Sequence, residues 1–315
     1  MPSDLLLPSS SLRTAVAATA TAAVAGLGYA VGESRAFVLR RARVPVLPAG
    51  QPAMRVLHLS DLHLTPTQWL KQRWVRRLAD LRPDLVVVTG DFLAHRDAVP
   101  TAFACLDGLL DLPGAFVLGS NDYYAPVVKN PLRYLLPAGQ DRTRVGELLP
   151  WRGLVHGLTS RGWVDLSNRR AELTVGDRRL AFTGVDDPHL DYDDLSAAAG
   201  PPPADVDLAL AVAHAPYLRV LNRFTADGWP LILAGHTHGG QVRVPGVGAL
   251  VTNCDLDTQR CRGLHRHTAG DRTAWMHVSA GLGTSPYAPV RFACRPEATL
   301  LTLTPDRASS HLRVV

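Results

Sequence analysis

From Met54 onward, short apolar runs alternate with stretches of helical period, and this alternation limits the fold more than any other feature. Arg55-Val56-Leu57-His58-Leu59 reads as a strand. Residues 68–81 read as a helix, because Leu70, Trp74, Leu78 and Leu81 recur at i, i+4, i+8 and i+11. Leu85-Val86-Val87-Val88 is a β-branched run suited to a strand buried on both faces. Residues 98–112 read as a second helix and Ala115-Phe116-Val117-Leu118 as a third strand. Such a βαβαβ start implies parallel strands joined by helical crossovers.

The second half differs in texture. Residues 130–150 read as loop plus a short helix, and residues 163–185 as antiparallel structure with a hairpin turning at Gly176-Asp177. Pro201-Pro202-Pro203 marks an exposed loop. Residues 207–213 form another buried strand, residues 217–226 a helix, and Leu231-Ile232-Leu233-Ala234 a further apolar run. Residues 275–279 and 298–303 are strand-like. The late hairpins argue against a purely doubly wound sheet. The expected fold is an α/β sandwich, two sheets face to face with helices outside.

Composition narrows the function. Apolar residues make up 46% of the 315 residues, enough for a sizeable core, and the net charge of +5 is mild. Part of it lies in residues 1–53, where Arg13, Arg35, Arg40, Arg41 and Arg43 face only Asp4 and Glu33. The rest is near neutral, which argues against a nucleic-acid partner. Cys254, Cys261, His265 and His267 do not have the spacing of a structural zinc site.

Residues 14–32 carry no charge and are as long as a helix needs to be to cross a bilayer. A membrane anchor, a cleaved export signal and an alanine-rich leader all fit. The arginines that follow the segment favour an anchor with the body on the cytoplasmic side; export is the alternative. Residues 44–52, with three prolines, read as a linker. The expected division is therefore an anchor and linker over 1–53 and a single domain over 54–315.

Five of the predicted strands end in residues that could ligate a metal. Asp61-Leu62-His63 follows the first and Gly90-Asp91 the second. Gly119-Ser120-Asn121-Asp122 follows the third. Ala213-His214 and Gly235-His236-Thr237-His238 follow two later ones. In α/β sheets the carboxyl ends of strands are where ligands bind. Carboxylates, imidazoles and an amide oxygen on one rim suit divalent cations of the Zn, Fe or Mn type.

This set resembles the motifs of the calcineurin-like metallophosphoesterases: D-x-H, G-D, G-N-H-D/E, a lone H, then G-H-x-H. The closest likeness is to a membrane-associated branch with G-H-T-H-G-G-Q, here residues 235–241, and G-V-D-D-P, here residues 184–188. The resemblance implies a four-layer αββα sandwich and two divalent metal ions. It implies Asp61, His63 and His238 on the first metal, a bridging Asp91, and His214 and His236 on the second, with an amide oxygen from the Gly119 turn. It implies hydrolysis of phosphoester bonds by a hydroxide between the metals. The substrate would be a phosphorylated small molecule or, given the N-terminal segment, a lipid-linked phosphate. The basic, tryptophan-bearing stretch at residues 69–77 would suit a membrane surface.

One motif departs from the pattern. Without a gap, Ser120 takes the place of the ligand asparagine and Asn121 that of the histidine; with a shift of one residue, Asn121 remains the ligand. Either way the histidine that would assist the leaving group is missing. His189 and His95 are candidate substitutes, and Asp122 a candidate supporting carboxylate. A weakly active or non-catalytic site that only binds metal and phosphate is the alternative function.

Overall fold

A computed structural model of the protein describes residues 10–128 and 146–306. Two six-stranded mixed sheets lie face to face. The first contains β1 (Val38–Leu47), β2 (Met54–Leu59), β3 (Leu85–Thr89), β4 (Gly114–Val117), β5 (Val164–Asp165) and β14 (Glu297–Pro305), in the order β1-β14-β2-β3-β4-β5. The second contains β6 (Arg169–Val175), β7 (Arg178–Gly184), β8 (Leu208–Val212), β9 (Leu231–Ala234), β12 (Gly263–Ala269) and β13 (Arg272–Val278), in the order β12-β13-β9-β8-β7-β6. A two-stranded ribbon, β10 (Arg243–Val244) with β11 (Gly248–Ala249), stands apart. The expected α/β sandwich is the fold.

The period of two sorts side chains between layers. Val56 of β2, Leu85 and Val87 of β3, Leu210 and Val212 of β8, and Leu231 and Leu233 of β9 meet between the sheets. Leu57, Leu59, Val86 and Val88 point the other way, onto α2 (Trp69–Arg76), α3 (Val99–Leu106) and α5 (Trp151–Thr159). Ala209, Ala211, Ile232 and Met276 pack under α6 (Leu218–Asp227). A single turn of helix, α4 (Ser120–Tyr123), follows β4. Each fully buried large apolar side chain stabilises the fold by about 1.5–3 kcal/mol, so the central strands are the rigid base from which the site is built.

The second helix is shorter than its apolar period suggested: α3 ends at Leu106, and Gly108 turns with φ +80°. The helix read at 68–81 is α2 followed by a 3₁₀ turn, Arg77–Leu81. The short helix expected within 130–150 falls largely outside the described residues.

The N-terminus departs from the reading as anchor plus linker. β1 pairs in parallel with β14 from Val38 opposite Glu297 to Leu47 opposite Pro305, so residues read as linker belong to the sheet. Val44 and Leu47 are fully or almost fully buried. β1 lies at the sheet edge, where exposed Arg40, Arg41 and Arg43 and the backbone of Pro45 are tolerated; those residues are what concealed the strand.

Residues 10–33 form α1 (Ser10–Glu33), which has the length of a span. Among the described residues, however, no helix is long and apolar enough to cross a membrane. Alanine, threonine and glycine dominate α1 and add little hydrophobicity. Its base is fixed to the body: the Glu33 carboxylate accepts the N–H groups of Ala293 and Cys294, and Tyr29 packs edge-on against Phe292.

Candidate metal centre

Five strand ends of the two sheets converge on one rim. The turns that leave them are tied together by backbone hydrogen bonds: Asp61 N–H to Gly90 at 3.0 Å, His63 N–H to Asp91 at 2.9 Å, and Gly235 N–H to His214 at 2.9 Å. Asp61, His63, Asp91, His236 and His238 all have positive φ, between 43° and 67°. For residues with a Cβ that conformation costs roughly 1–3 kcal/mol each, and it persists only where the surroundings enforce it. Five strained residues on one rim mark a functional site.

Close approach explains the framing glycines. A Cβ on Gly235 would lie 1.8 Å from Ser60 Oγ, and one on Gly119 would lie 2.4 Å from Asp91 Oδ1. Any larger residue at either position would push a candidate ligand out of place.

The side chains fall into two groups joined by one carboxylate. In the first, Asp61, His63, Asp91 and His238 present ligand atoms all within 4.8 Å of one another. His63 Nε2 and His238 Nε2 are 3.1 Å apart, and His238 Nε2 is 3.4 Å from Asp61 Oδ1. In the second, His214 Nε2 lies 3.3 Å from His236 Nδ1. Asp91 Oδ2 links the groups, 3.4 Å from His63 Nε2, 3.6 Å from His214 Nε2 and 2.8 Å from Asn121 Nδ2.

These residues fit metal ions on chemical grounds. Asp61 Oδ1 is buried without a hydrogen-bond partner, while its Oδ2 accepts from Ser60 and from the His236 N–H. Burial holds His63 down to about 4 and His238 well below the usual imidazole range. Both rings are therefore neutral, with lone pairs available. Burial opposes a charge on His214, but Asp91, Asp187 and Asp61 together raise it to about 9. That is the effect of surplus negative charge seeking a cation.

The supporting groups are well defined. Asp122 accepts four backbone N–H bonds, from Gly119, Asp91, Phe92 and Leu93, at 2.7–3.0 Å. It thereby clamps the Gly90-Asp91 loop to the Gly119 turn. His189 is brought to the centre: its ring lies 4.6 Å from that of His236, and its Nδ1 is 3.1 Å from the Tyr217 hydroxyl. His95 is not; it sits on an exposed turn against Asp97. Cys254 and Cys261 are free thiols, and His267 bonds Asn222 instead of joining them.

Some residues at the centre were not singled out from sequence. Asp187, in the G-V-D-D-P motif, is fully buried with Oδ2 unpartnered, and burial raises it to about 7. Lys71, read from sequence as one of the basic residues that would suit a membrane surface, is instead buried; it donates to the carbonyl of Leu62 and holds the Asp61–His63 turn from behind. Arg291 is fully buried and donates to the carbonyls of Ala280, Gly281 and Gly283 behind His238. Only the G-V-D-D-P motif gave any of these a sequence signal.

The family model for the calcineurin-like phosphoesterases matches residues 54–240. The phosphodiesterase YaeI of Escherichia coli is 28% identical over 298 residues, spanning 92% of this chain and 96% of its own length. A bovine transmembrane protein with a metallophosphoesterase domain is 28% identical over 312 residues, 93% of this chain and 63% of its own length. Among solved structures, a dimetal phosphatase from Danio rerio aligns over 74% of this chain and 88% of its own, at 12% identity and a TM-score of 0.39. With that model matched over residues 54–240, more than half of its length, this chain belongs to the calcineurin-like phosphoesterase family and is a metallophosphoesterase.

Proposed function

We propose that the chain hydrolyses phosphodiester, pyrophosphate or lipid-linked phosphate bonds at two divalent cations. Asp61, His63, Asp91 and His238 would hold one, and Asp91, Asn121, His214 and His236 the other. The observation that carries this reading is the position of Asp91 Oδ2 between His63 on one side and His214 on the other. Two such cations, when bound, supply Lewis-acid polarisation of the phosphoryl group and activation of the attacking water.

The chain's own residues do the rest. Asp122 fixes the Asp91 loop through its four N–H bonds, so the shared carboxylate does not swing. Asn121 donates its backbone N–H to Asp91 and holds its side-chain amide 2.8 Å from Asp91 Oδ2, a nearness that supports Asn121 rather than Ser120 as the neutral oxygen ligand. His189, half-buried beside His236, would protonate a leaving group in the absence of the family histidine; its nearness to His236 supports that role. Should His189 not supply it, general acid help worth about 10²–10⁴-fold is lost, and substrates whose leaving groups need little protonation would be favoured.

Exposed Val24, Leu27 and Tyr29 on α1, and Trp69 on α2, support a position at a lipid surface and a lipid-linked member of the substrate class. The altered Gly119 turn favours a second reading, a site that binds metal and phosphate with little turnover.

The test is hydrolysis of bis-p-nitrophenyl phosphate by protein loaded with Mn, Fe or Zn, before and after chelation. Activity that disappears with chelator and returns with metal supports the hydrolase. An inert native chain at full occupancy, with activity gained by the double variant Ser120→Asn, Asn121→His, supports the binding reading.

A further inference from the structure

Behind the metal centre, a line of polar side chains crosses the apolar core between the sheets. His277 of β13 lies with Nδ1 2.8 Å from Nδ1 of His58 on β2. His58 Nε2 is 3.0 Å from Thr89 Oγ1 at the end of β3. Thr89 Oγ1 is 2.7 Å from Ser60 Oγ, and Ser60 Oγ is 2.5 Å from Asp61 Oδ2. His58, Ser60 and Thr89 are fully buried and His277 is 2% exposed. The core around them between the sheets is apolar, with Val56, Val87, Leu233 and Trp275 among its members.

The donors along this line are fixed by elimination. An ionised carboxylate only accepts, so Ser60 gives its one proton to Asp61. The Ser60 oxygen then receives the one proton of Thr89. The Thr89 oxygen must in turn receive a proton from Nε2 of His58. A dry imidazole with no carboxylate in contact stays neutral, and burial holds both His58 and His277 below their usual range. Nδ1 of His58 is then a bare acceptor, and the proton in that bond comes from Nδ1 of His277.

We infer that His277, His58, Thr89 and Ser60 form a one-way hydrogen-bond chain whose donors all point at Asp61 and position it for its cation. These are positioning residues, since none touches a reacting atom. Aligned bonds of this kind polarise one another in a low dielectric. The chain ends on Oδ2, where the His236 N–H also donates, and leaves Oδ1 as the atom of Asp61 facing His238. The opposite orientation would need a proton on Asp61 itself, which would cost the carboxylate its charge as a ligand. The role of the chain in metal binding rests on the dinuclear reading; the direction of its bonds does not.

Two measurements test it separately. Long-range ¹H–¹⁵N correlation spectra of histidine-labelled, metal-free protein at pH 8 report which ring nitrogen carries the proton. The expected pattern is Nε2–H for His58 and Nδ1–H for His277, assigned from single-histidine variants. A proton on Nδ1 of His58, or a charged ring at either position, overturns the chain whatever the protein's activity. The second is Zn²⁺ binding by Thr89→Val, which keeps the shape and removes the hydroxyl. Loss of a supporting partner of a ligand costs about 10–100-fold in metal affinity, and Thr89→Ser should restore it. Native affinity in a folded Thr89→Val overturns the positioning role while leaving the tautomers as found. If Thr89→Val does not fold, the comparison is made with Ser60→Ala, read by the same titration.

Discussion

The side-chain amide of Asn121 lies 2.8 Å from Oδ2 of Asp91, the carboxylate oxygen that also faces His63 and His214. An amide's nitrogen and oxygen occupy nearly the same positions, so a half-turn would direct the oxygen toward the space a cation would take. Asn121→Ala should then lose one of the two ions and about 100-fold in activity, the upper end of what a lost group around a metal costs, whereas Ser120→Ala should keep both. Metal content and diester hydrolysis of the two purified variants check this. The reverse ranking would put Ser120 in the ligand position.

The two ligand groups predict unequal losses. His236→Ala should bind about one ion per chain instead of two, with Asp61, His63 and His238 still loaded. Asp91→Ala removes the group common to both and should leave less than one. Elemental analysis after dialysis separates the outcomes. Full metal content and activity in His236→Ala would remove that residue from the centre.

Asp122 is a test of the scaffold alone. An asparagine there turns two acceptor sites into N–H groups aimed at backbone donors. At about 1–3 kcal/mol for each buried group left unsatisfied, Asp122→Asn should lose roughly 2–4 kcal/mol of stability. Urea unfolding of the metal-free protein measures it. An unchanged midpoint would mean that the Gly90-Asp91 and Gly119 turns do not depend on the clamp.

The buried His58–His277 pair makes stability depend on pH. Burial lowers His58 far below its ordinary range and His277 to about 3. In the unfolded chain both titrate near 6.5. Below that pH the unfolded state binds more protons, so their contribution is fully present above about 6.5 and is lost as pH falls toward 3. The loss is about 1.4 kcal/mol per pH unit for each ring. Thermal unfolding of metal-free protein between about pH 8 and 4 should show it, with a shallower slope in His277→Asn. Equal slopes would mean that His277 is already charged in the folded state.

Much of this centre is legible in the order of the residues alone, because its chemistry sits where secondary structure stops. Asp61, Asp91, His214 and His236 each follow an apolar run that reads as a buried strand, and strand ends in such folds share one rim. The hairpin at Gly176-Asp177 is equally plain, since its turn residues are local. What sequence conceals is what depends on distant partners. β1 hides because an edge strand tolerates arginines and a proline that would exclude a central one. His58 and His277 lie 219 residues apart and look like ordinary strand residues until two sheets bring their rings together. Arg291 carries no signal, because the carbonyls that hold it belong to a loop whose course is set by the rest of the molecule.

The central claim is a pair of cations sharing Asp91, and anomalous diffraction from crystals grown with Mn²⁺ tests it most directly. Two peaks about 3.5–4 Å apart are expected, one beside His63 and His238 and one beside His214 and His236, with Asp91 between them. A single peak at saturating metal, or two peaks that do not share Asp91, would contradict it.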